Sequence, residues 1–205
     1  CQCSMASGMR TEYGIIVDAG SSGSRLHVYT WRSGGGGHID FELVSDDIMK
    51  TNPGLSSYKE RAGDAGSSLA PLLTFARDKI PPARQPTTPI FLLATAGLRV
   101  VGDEIKDAIL RAVCAELDAS GFLFRHEWAA LLDGRSEGLY GWLTVNFLLG
   151  TLQAQGLQGD VLGQQPVGAI DLGGGSVQVV FAMPDHTTST AAVSDSGGSG
   201  SGGSG

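Results

Sequence analysis

Two stretches of the chain repeat one arrangement of residues that can do chemistry. IIVDAGSSGSR at 15–25 and AIDLGGGSVQ at 169–178 each run from an apolar strand to an aspartate, Asp18 or Asp171, and then into a loop of small residues. Gly permits positive φ and lets backbone N–H groups converge, and Ser adds hydroxyl donors. Ser21, Ser22 and Gly23 in the first loop, and Gly173, Gly174, Gly175 and Ser176 in the second, are therefore suited to cradling phosphate oxygens. The Asp beside each loop suits a hydrated divalent cation. Two such loops facing one another would clamp a polyphosphate. Taken singly, either copy reads equally as a tight hairpin turn with an acidic strand end, and the shared Asp offset is what favours a ligand site.

Two more segments carry candidates. Thr95, in ATAGLR at 94–99, falls at the end of an expected strand, where open α/β sheets place their ligands, and its hydroxyl could reach a phosphate or a water. The alternative is a small-residue turn with Arg99 on a solvated face. Glu137, in LLDGRSEGLYGW at 131–142, is expected in the first turn of a helix, whose dipole favours an ionised carboxylate. Near a bound phosphate it could orient and deprotonate a water, although first-turn acids are also common as plain helix stabilisation. Trp142 and Phe147 are expected in the core. The histidines, His27, His38, His126 and His186, show no metal-ligand spacing, and Cys1 and Cys3 lack a second pair, so a transition-metal site is discounted. Asp46 and Asp47 read as a solvated turn, and Cys114 as a structural residue on the buried stripe of its helix.

These residues need a scaffold. Apolar runs at 13–17, 26–31 and 39–44, separated by Gly and Ser, predict three strands. A helix is expected over 58–79, with Leu69, Leu72, Leu73 and Ala76 on one face and Pro71 interrupting it. There follow a strand at 89–95, an amphipathic helix at 103–119, a strand at 121–124, a helix at 136–149, and a strand pair at 166–171 and 176–183. Strands alternating with crossover helices imply an α/β fold with a mixed sheet under helical cover. With 205 residues, 41% of them hydrophobic, the chain is long enough for one complete domain and part of another. The net charge of −7 and the lack of any basic block argue against nucleic-acid or anionic-membrane partners. The longest apolar candidate, 142–152, is interrupted by Thr144, Asn146 and Gly150, too short to span a bilayer. Three cysteines give no disulfide framework, and the Gly/Ser tail at 194–205 is expected to be disordered for want of anything to bury.

Taken in order, the four motifs resemble the apyrases, or nucleoside triphosphate diphosphohydrolases, of the actin, Hsp70 and sugar-kinase superfamily, matching four of that family's five conserved regions across 13–181. The resemblance implies a ribonuclease-H-like mixed sheet with flanking helices as a first lobe at 13–135. A linking helix and the first hairpin of a truncated second lobe would follow at 136–193, with a flexible N-terminus at 1–12. It implies hydrolysis of nucleoside di- or triphosphates by water, with no phosphoenzyme. Ser21, Ser22, Gly23 and the 173–176 loop would bind phosphate. Asp18 and Asp171 would hold Mg²⁺ or Ca²⁺ through waters. Glu137 would be the catalytic base, with Ser176, Gln178 and Thr95 positioning the water. It also implies a site outside the cell or in a secretory lumen, with membrane attachment only through segments not included here. Nothing speaks to oligomeric state. The second lobe is only begun, so the segment alone is expected to be weak or inactive beside an active parent. The competing readings are another superfamily phosphotransferase or an exopolyphosphatase, and a nucleotide-binding module without turnover.

Overall fold

A computed structural model describes residues 9–34, 41–152 and 165–183, and the backbone of a strand at 192–195. Cys1, Cys3, His38, His186 and most of the Gly/Ser tail lie outside the described residues. The chain divides into two units, 1–131 and 132–205.

In the first unit the period-two alternation of apolar residues builds a five-stranded mixed sheet. Its strands are β1 (Arg10–Ala19), β2 (Ser24–Ser33), β3 (Phe41–Thr51), β4 (Ile90–Ala94) and β5 (Ala129–Leu131), in the order β3-β2-β1-β4-β5. β1 and β2, and β2 and β3, are antiparallel, whereas β4 runs parallel to both β1 and β5. Ile15, Val17 and Ala19 of β1, Leu26 and Val28 of β2, and Ile90, Leu92 and Ala94 of β4 form one buried cluster. α1 (Ala70–Lys79) adds Leu72, Leu73 and Ala76 to it, and α3 (Asp103–Asp118) adds Ile109, Val113 and Leu117. Each fully buried Leu or Ile there stabilises the fold by roughly 1.5–3 kcal/mol. This is the mixed, helix-covered sheet expected of the first lobe.

Four local expectations are corrected. The helix expected over 58–79 is α1 preceded by 3-10 turns at Leu55–Tyr58, Ala62–Asp64 and Ser67–Leu69. Pro71 lies in the first turn of α1, where its missing N–H costs nothing, and so begins the helix it was expected to interrupt. Residues 121–124 form only an isolated bridge, Pro89 to Leu123, and the strand that does pair with β4 is β5. Asp46 and Asp47 are not in a turn: β3 runs on to Thr51 because β2 pairs with it throughout. Both carboxylates there are partnered, Asp46 with His27 Nδ1 at 3.0 Å and Asp47 with Lys79 Nζ at 2.6 Å, which suits charged residues on an edge strand.

In the second unit α4 (Gly134–Leu148) packs on the antiparallel sheet β6-β7-β8, formed by Ala169–Leu172, Val177–Phe181 and Ala192–Asp195. Gln178 and Val180 of β7 are buried, at 1% and 2% exposure. Phe147, expected in the core, is instead 59% exposed. It lies near the C-terminal end of α4, where its neighbour Asn146 is buried and ties the helix to the segment that leads into β6. Asn146 Nδ2 donates to Trp142 O and Val167 O, and its Oδ1 accepts from Val167 N and Thr151 Oγ1. Among the described residues, no helix is long and apolar enough to cross a membrane.

Candidate active site

Asp18 is the second-last residue of β1, and the loop at 20–23 joins β1 to β2. β1 and β4 run parallel and end side by side, Ala19 opposite Ala94, so the residues following each strand share one rim. Thr95 follows β4 there, its backbone N–H donating to Ala19 O at 3.2 Å, and opens the short helix α2 (Ala96–Arg99). The structure thus brings Asp18, Ser21, Ser22, Gly23 and Thr95 to one end of the first unit's sheet. Asp18 accepts from Arg25 Nη1 at 3.3 Å, across the hairpin.

The loop is held from outside by residues that the sequence did not single out. A Cβ on Gly23 would collide with the Asn52 side-chain amide and with Thr51 O. A Cβ on Gly54 would come within 2.5 Å of Gly20 O and 2.6 Å of Ser21 O, and one on Gly97 within 2.9 Å of Ser21 Cα. In the orientation that satisfies its amide, Asn52 donates to Ser22 O at 2.9 Å and Thr51 O at 3.3 Å. The turn tripeptide at 52–54 was the available signal, but its partner is a loop thirty residues upstream in the chain, which local pattern does not disclose.

The second unit carries the other candidates. Asp133 caps α4: its Oδ1 accepts from Ser136 N at 2.8 Å and its Oδ2 from Ser136 Oγ at 2.9 Å. These bonds hold its carboxyl below the usual carboxylate range. The cap starts the helix at Gly134, two residues before the sequence expectation, and leaves Glu137 in the first turn. From there Glu137 Oε2 accepts from Gln178 Nε2 at 3.2 Å, and the same Nε2 donates to Ser176 Oγ at 2.8 Å. Gln178 Oε1 is buried without a hydrogen-bond partner among the described residues, as is the Trp142 indole Nε1. Both residues line a cavity of about 340 Å³ between α4 and the strands β6 and β7. Asp171 lies on β6, opposite Gln178 in the ladder, and lines the same cavity. The 173–176 loop is closed by Gly173 N donating to Ser176 O at 3.0 Å, and Gly173, Gly174 and Gly175 are exposed.

Glu137, Ser176, Gln178 and Asp171 are therefore gathered within one unit, around an amide whose oxygen is an unused acceptor. Such an arrangement can hold a water and take a proton from it. Among the described residues no three His, Cys, Asp or Glu side chains come together as metal ligands.

Comparison with known proteins bears on the whole chain. It is 37% identical over 193 residues to the nucleoside-diphosphatase mig-23 of Caenorhabditis elegans, covering 88% of this chain and 35% of that protein. It is 38% identical over 179 residues to ectonucleoside triphosphate diphosphohydrolase 5 of Gallus gallus, covering 87% of this chain and 40% of the relative. The chain thus spans well under half the length of these relatives. A crystal structure of nucleoside triphosphate hydrolases from Neospora caninum matches in fold with a TM-score of 0.62 at 24% identity, over 88% of this chain and 40% of that one. The model of the GDA1/CD39 (nucleoside phosphatase) family matches residues 4–200, and with the four ordered motifs and the fold that carries them, this chain belongs to that family.

Proposed function

We propose that this chain supplies the phosphate-binding and water-activating groups of an enzyme that hydrolyses nucleoside di- and triphosphates. The observation that carries the reading is Gln178: a buried amide whose nitrogen is held by Glu137 and Ser176 and whose oxygen is an unfilled acceptor. Burying an acceptor without a partner costs about 1–3 kcal/mol, so this oxygen is suited to taking a hydrogen bond from the attacking water. That water donates to Gln178 Oε1, and Glu137 takes its other proton as the water oxygen bonds to the terminal phosphorus. The bond from phosphorus to the bridging oxygen breaks, and a nucleotide shorter by one phosphate leaves with inorganic phosphate. Ser21, Ser22 and Gly23 in the first unit and the 173–176 loop in the second would each bind phosphate oxygens through backbone N–H groups and hydroxyls, and Thr95 would help position the water.

Mg²⁺ or Ca²⁺ fits the donor set in one form only. Asp18 and Asp171 are each a single carboxylate beside a Gly/Ser loop, and among the described residues no three His, Cys, Asp or Glu side chains come together. They suit a cation that keeps its waters and shares phosphate oxygens, and not one caged by protein. Bound there, the cation would neutralise charge on the phosphates. By analogy with a relative named an ectonucleoside triphosphate diphosphohydrolase, the whole protein works outside the cell or in a secretory lumen.

The test is phosphate release from ATP, ADP and UDP with Mg²⁺, Ca²⁺ or EDTA, comparing the chain with Glu137→Gln. Metal-dependent release that falls by about 10²- to 10⁴-fold in the variant is expected of a lost general base. Release that survives the substitution would remove Glu137 from the chemistry. Nucleotide binding by both forms without release from either would leave a binding module.

A further inference from the structure

Glu137 and Gln178 belong to different elements, so their 3.2 Å contact depends on how closely α4 approaches β7. Gly138, which is buried and immediately follows Glu137, lies where α4 leaves no room for a side chain against β7. A Cβ placed on Gly138 would lie 2.9 Å from Val180 Cγ2, 3.0 Å from Gln178 Cβ and 3.4 Å from Gln178 Cγ. Carbon atoms rest at about 3.5–4.0 Å, so a methyl group here must be relieved by roughly half an ångström.

Neither neighbour yields cheaply. Val180 is 2% exposed and its branched side chain is stiff about χ1. Gln178 is 1% exposed, and its Cβ is tied to the strand backbone. The relief must come from α4 lifting off the strand or from Gln178 turning aside. The bond from Gln178 Nε2 to Glu137 Oε2 starts at 3.2 Å, near the long end of the N–H···O range, so either movement breaks it.

We propose that Gly138 is a positioning residue: its lack of a side chain sets the helix-to-strand distance at which Glu137 and Gln178 meet. This rests on the reading of that pair as water-activating, but the contact itself can be tested without turnover. Gly63, exposed in the first unit and outside that cavity, provides the comparison, because a Cβ there meets nothing within 4 Å. A Gly→Ala change in open space at a compatible φ is tolerated or mildly stabilising, so Gly63→Ala is expected to keep the melting temperature at or above the parent's and leave activity unaltered.

The experiment follows the Gln178 side-chain amide resonances in ¹⁵N-labelled protein, assigned by their loss in Gln178→Glu, alongside phosphate-release kinetics. In Gly138→Ala the amide pair shifts and exchanges faster with solvent, and kcat falls at least about tenfold with KM within twofold; Gly63→Ala moves neither. Gly138→Ala/Val180→Ala, which removes the nearest obstructing atom, recovers part of both signals and is also the form to read if the single variant does not fold. Amide resonances unchanged in Gly138→Ala, or shifted without loss of kcat in an active protein, would overturn the proposal. If the parent chain releases no phosphate, the functional reading fails, and the amide resonances alone decide whether Gly138 sets the contact.

Discussion

Asn146→Ala should loosen the second unit by a calculable amount. The wild-type side chain is fully buried and makes four hydrogen bonds: to Trp142 O at 2.9 Å, Val167 O at 3.0 Å, and from Val167 N at 2.8 Å and Thr151 Oγ1 at 2.6 Å. The partners are not all stranded by truncation. Val167 is 41% exposed, so water can reach its backbone, and the Thr151 hydroxyl already lies 3.1 Å from Asn146 O. With those substitutes, four bonds at roughly 0.5–1 kcal/mol each give a loss of about 2–4 kcal/mol, and the full desolvation penalty does not apply. Asn146→Asp should be worse despite its shape, because it turns a buried charge toward two carbonyl oxygens that now receive no proton. Hydrogen exchange of the amides at 165–183, read by mass spectrometry at neutral pH, reports the loss locally. Unchanged protection in Asn146→Ala, or an Asp variant as protected as the parent, would refute this account.

Three further outcomes follow from the same geometry. Gly23→Ala should cost about 1–3 kcal/mol by urea unfolding, the usual range for forcing an atom into packed surroundings, because its Cβ meets the Asn52 amide and Thr51 O; a stability equal to the parent would mean that the loop has room. Asp133 has a folded-state carboxyl held below its ordinary value of 3.8 by Ser136, so its contribution to stability is full above that value and fades as pH falls through the lower folded one. Asp133→Ala should therefore lower the melting temperature at pH 7 and flatten its decline in acid, while Asp133→Asn, which keeps a capping oxygen, should retain most of the stability. Burial, with Asp118 nearby, pushes the Cys114 thiol up, so alkylation by iodoacetamide at pH 7 should be slower than for a free thiol, and a fast reaction would contradict that burial.

What could be read from the sequence divides along a physical line. β1, β2, β4 and α3 were legible because each buries one face of a regular element, and burial of one face leaves a period of two or of three to four in the chain. β5 left no such trace: Ala129, Ala130 and Leu131 are neither β-branched nor alternating, and they become a strand only because β4 offers them a ladder. The turns before α1 were mistaken for helix for the converse reason, since Leu69 and its neighbours keep helical spacing into a core that α3 shares. Within the candidate site, the two loops and Glu137 were legible as residue types at fixed offsets. Asn52, Gly54, Gly97, Gly138 and Asn146 were not assigned these roles, because each acts on a segment distant in sequence, and tertiary approach has no local signature.

The repeated hairpin can now be compared with itself at the level of register. In each copy a four-residue loop joins two antiparallel strands, 20–23 in one and 173–176 in the other. In each, the aspartate faces the residue seven positions later across the ladder: Asp18 opposite Arg25, and Asp171 opposite Gln178. One backbone frame thus presents two different partners at one position. A guanidinium opposite Asp18 forms an ion pair that is half exposed and worth little to stability, so it is free to be exchanged when a charged ligand arrives. A neutral amide opposite Asp171 cannot make that pair. Being buried and shorter, it reaches along the helix side to Glu137 and Ser176 instead, and keeps one acceptor unspent. On the function proposed above, the exchange of a cation for an amide at a single register position would separate charge handling in one copy from water handling in the other. Arg25→Gln is the direct probe of that division: it should weaken retention of the phosphate charge, seen as a higher KM, while leaving kcat close to the parent value, whereas Gln178→Arg should abolish kcat by setting a cation against Glu137. Equal effects of both on kcat would show that the two hairpins share one task.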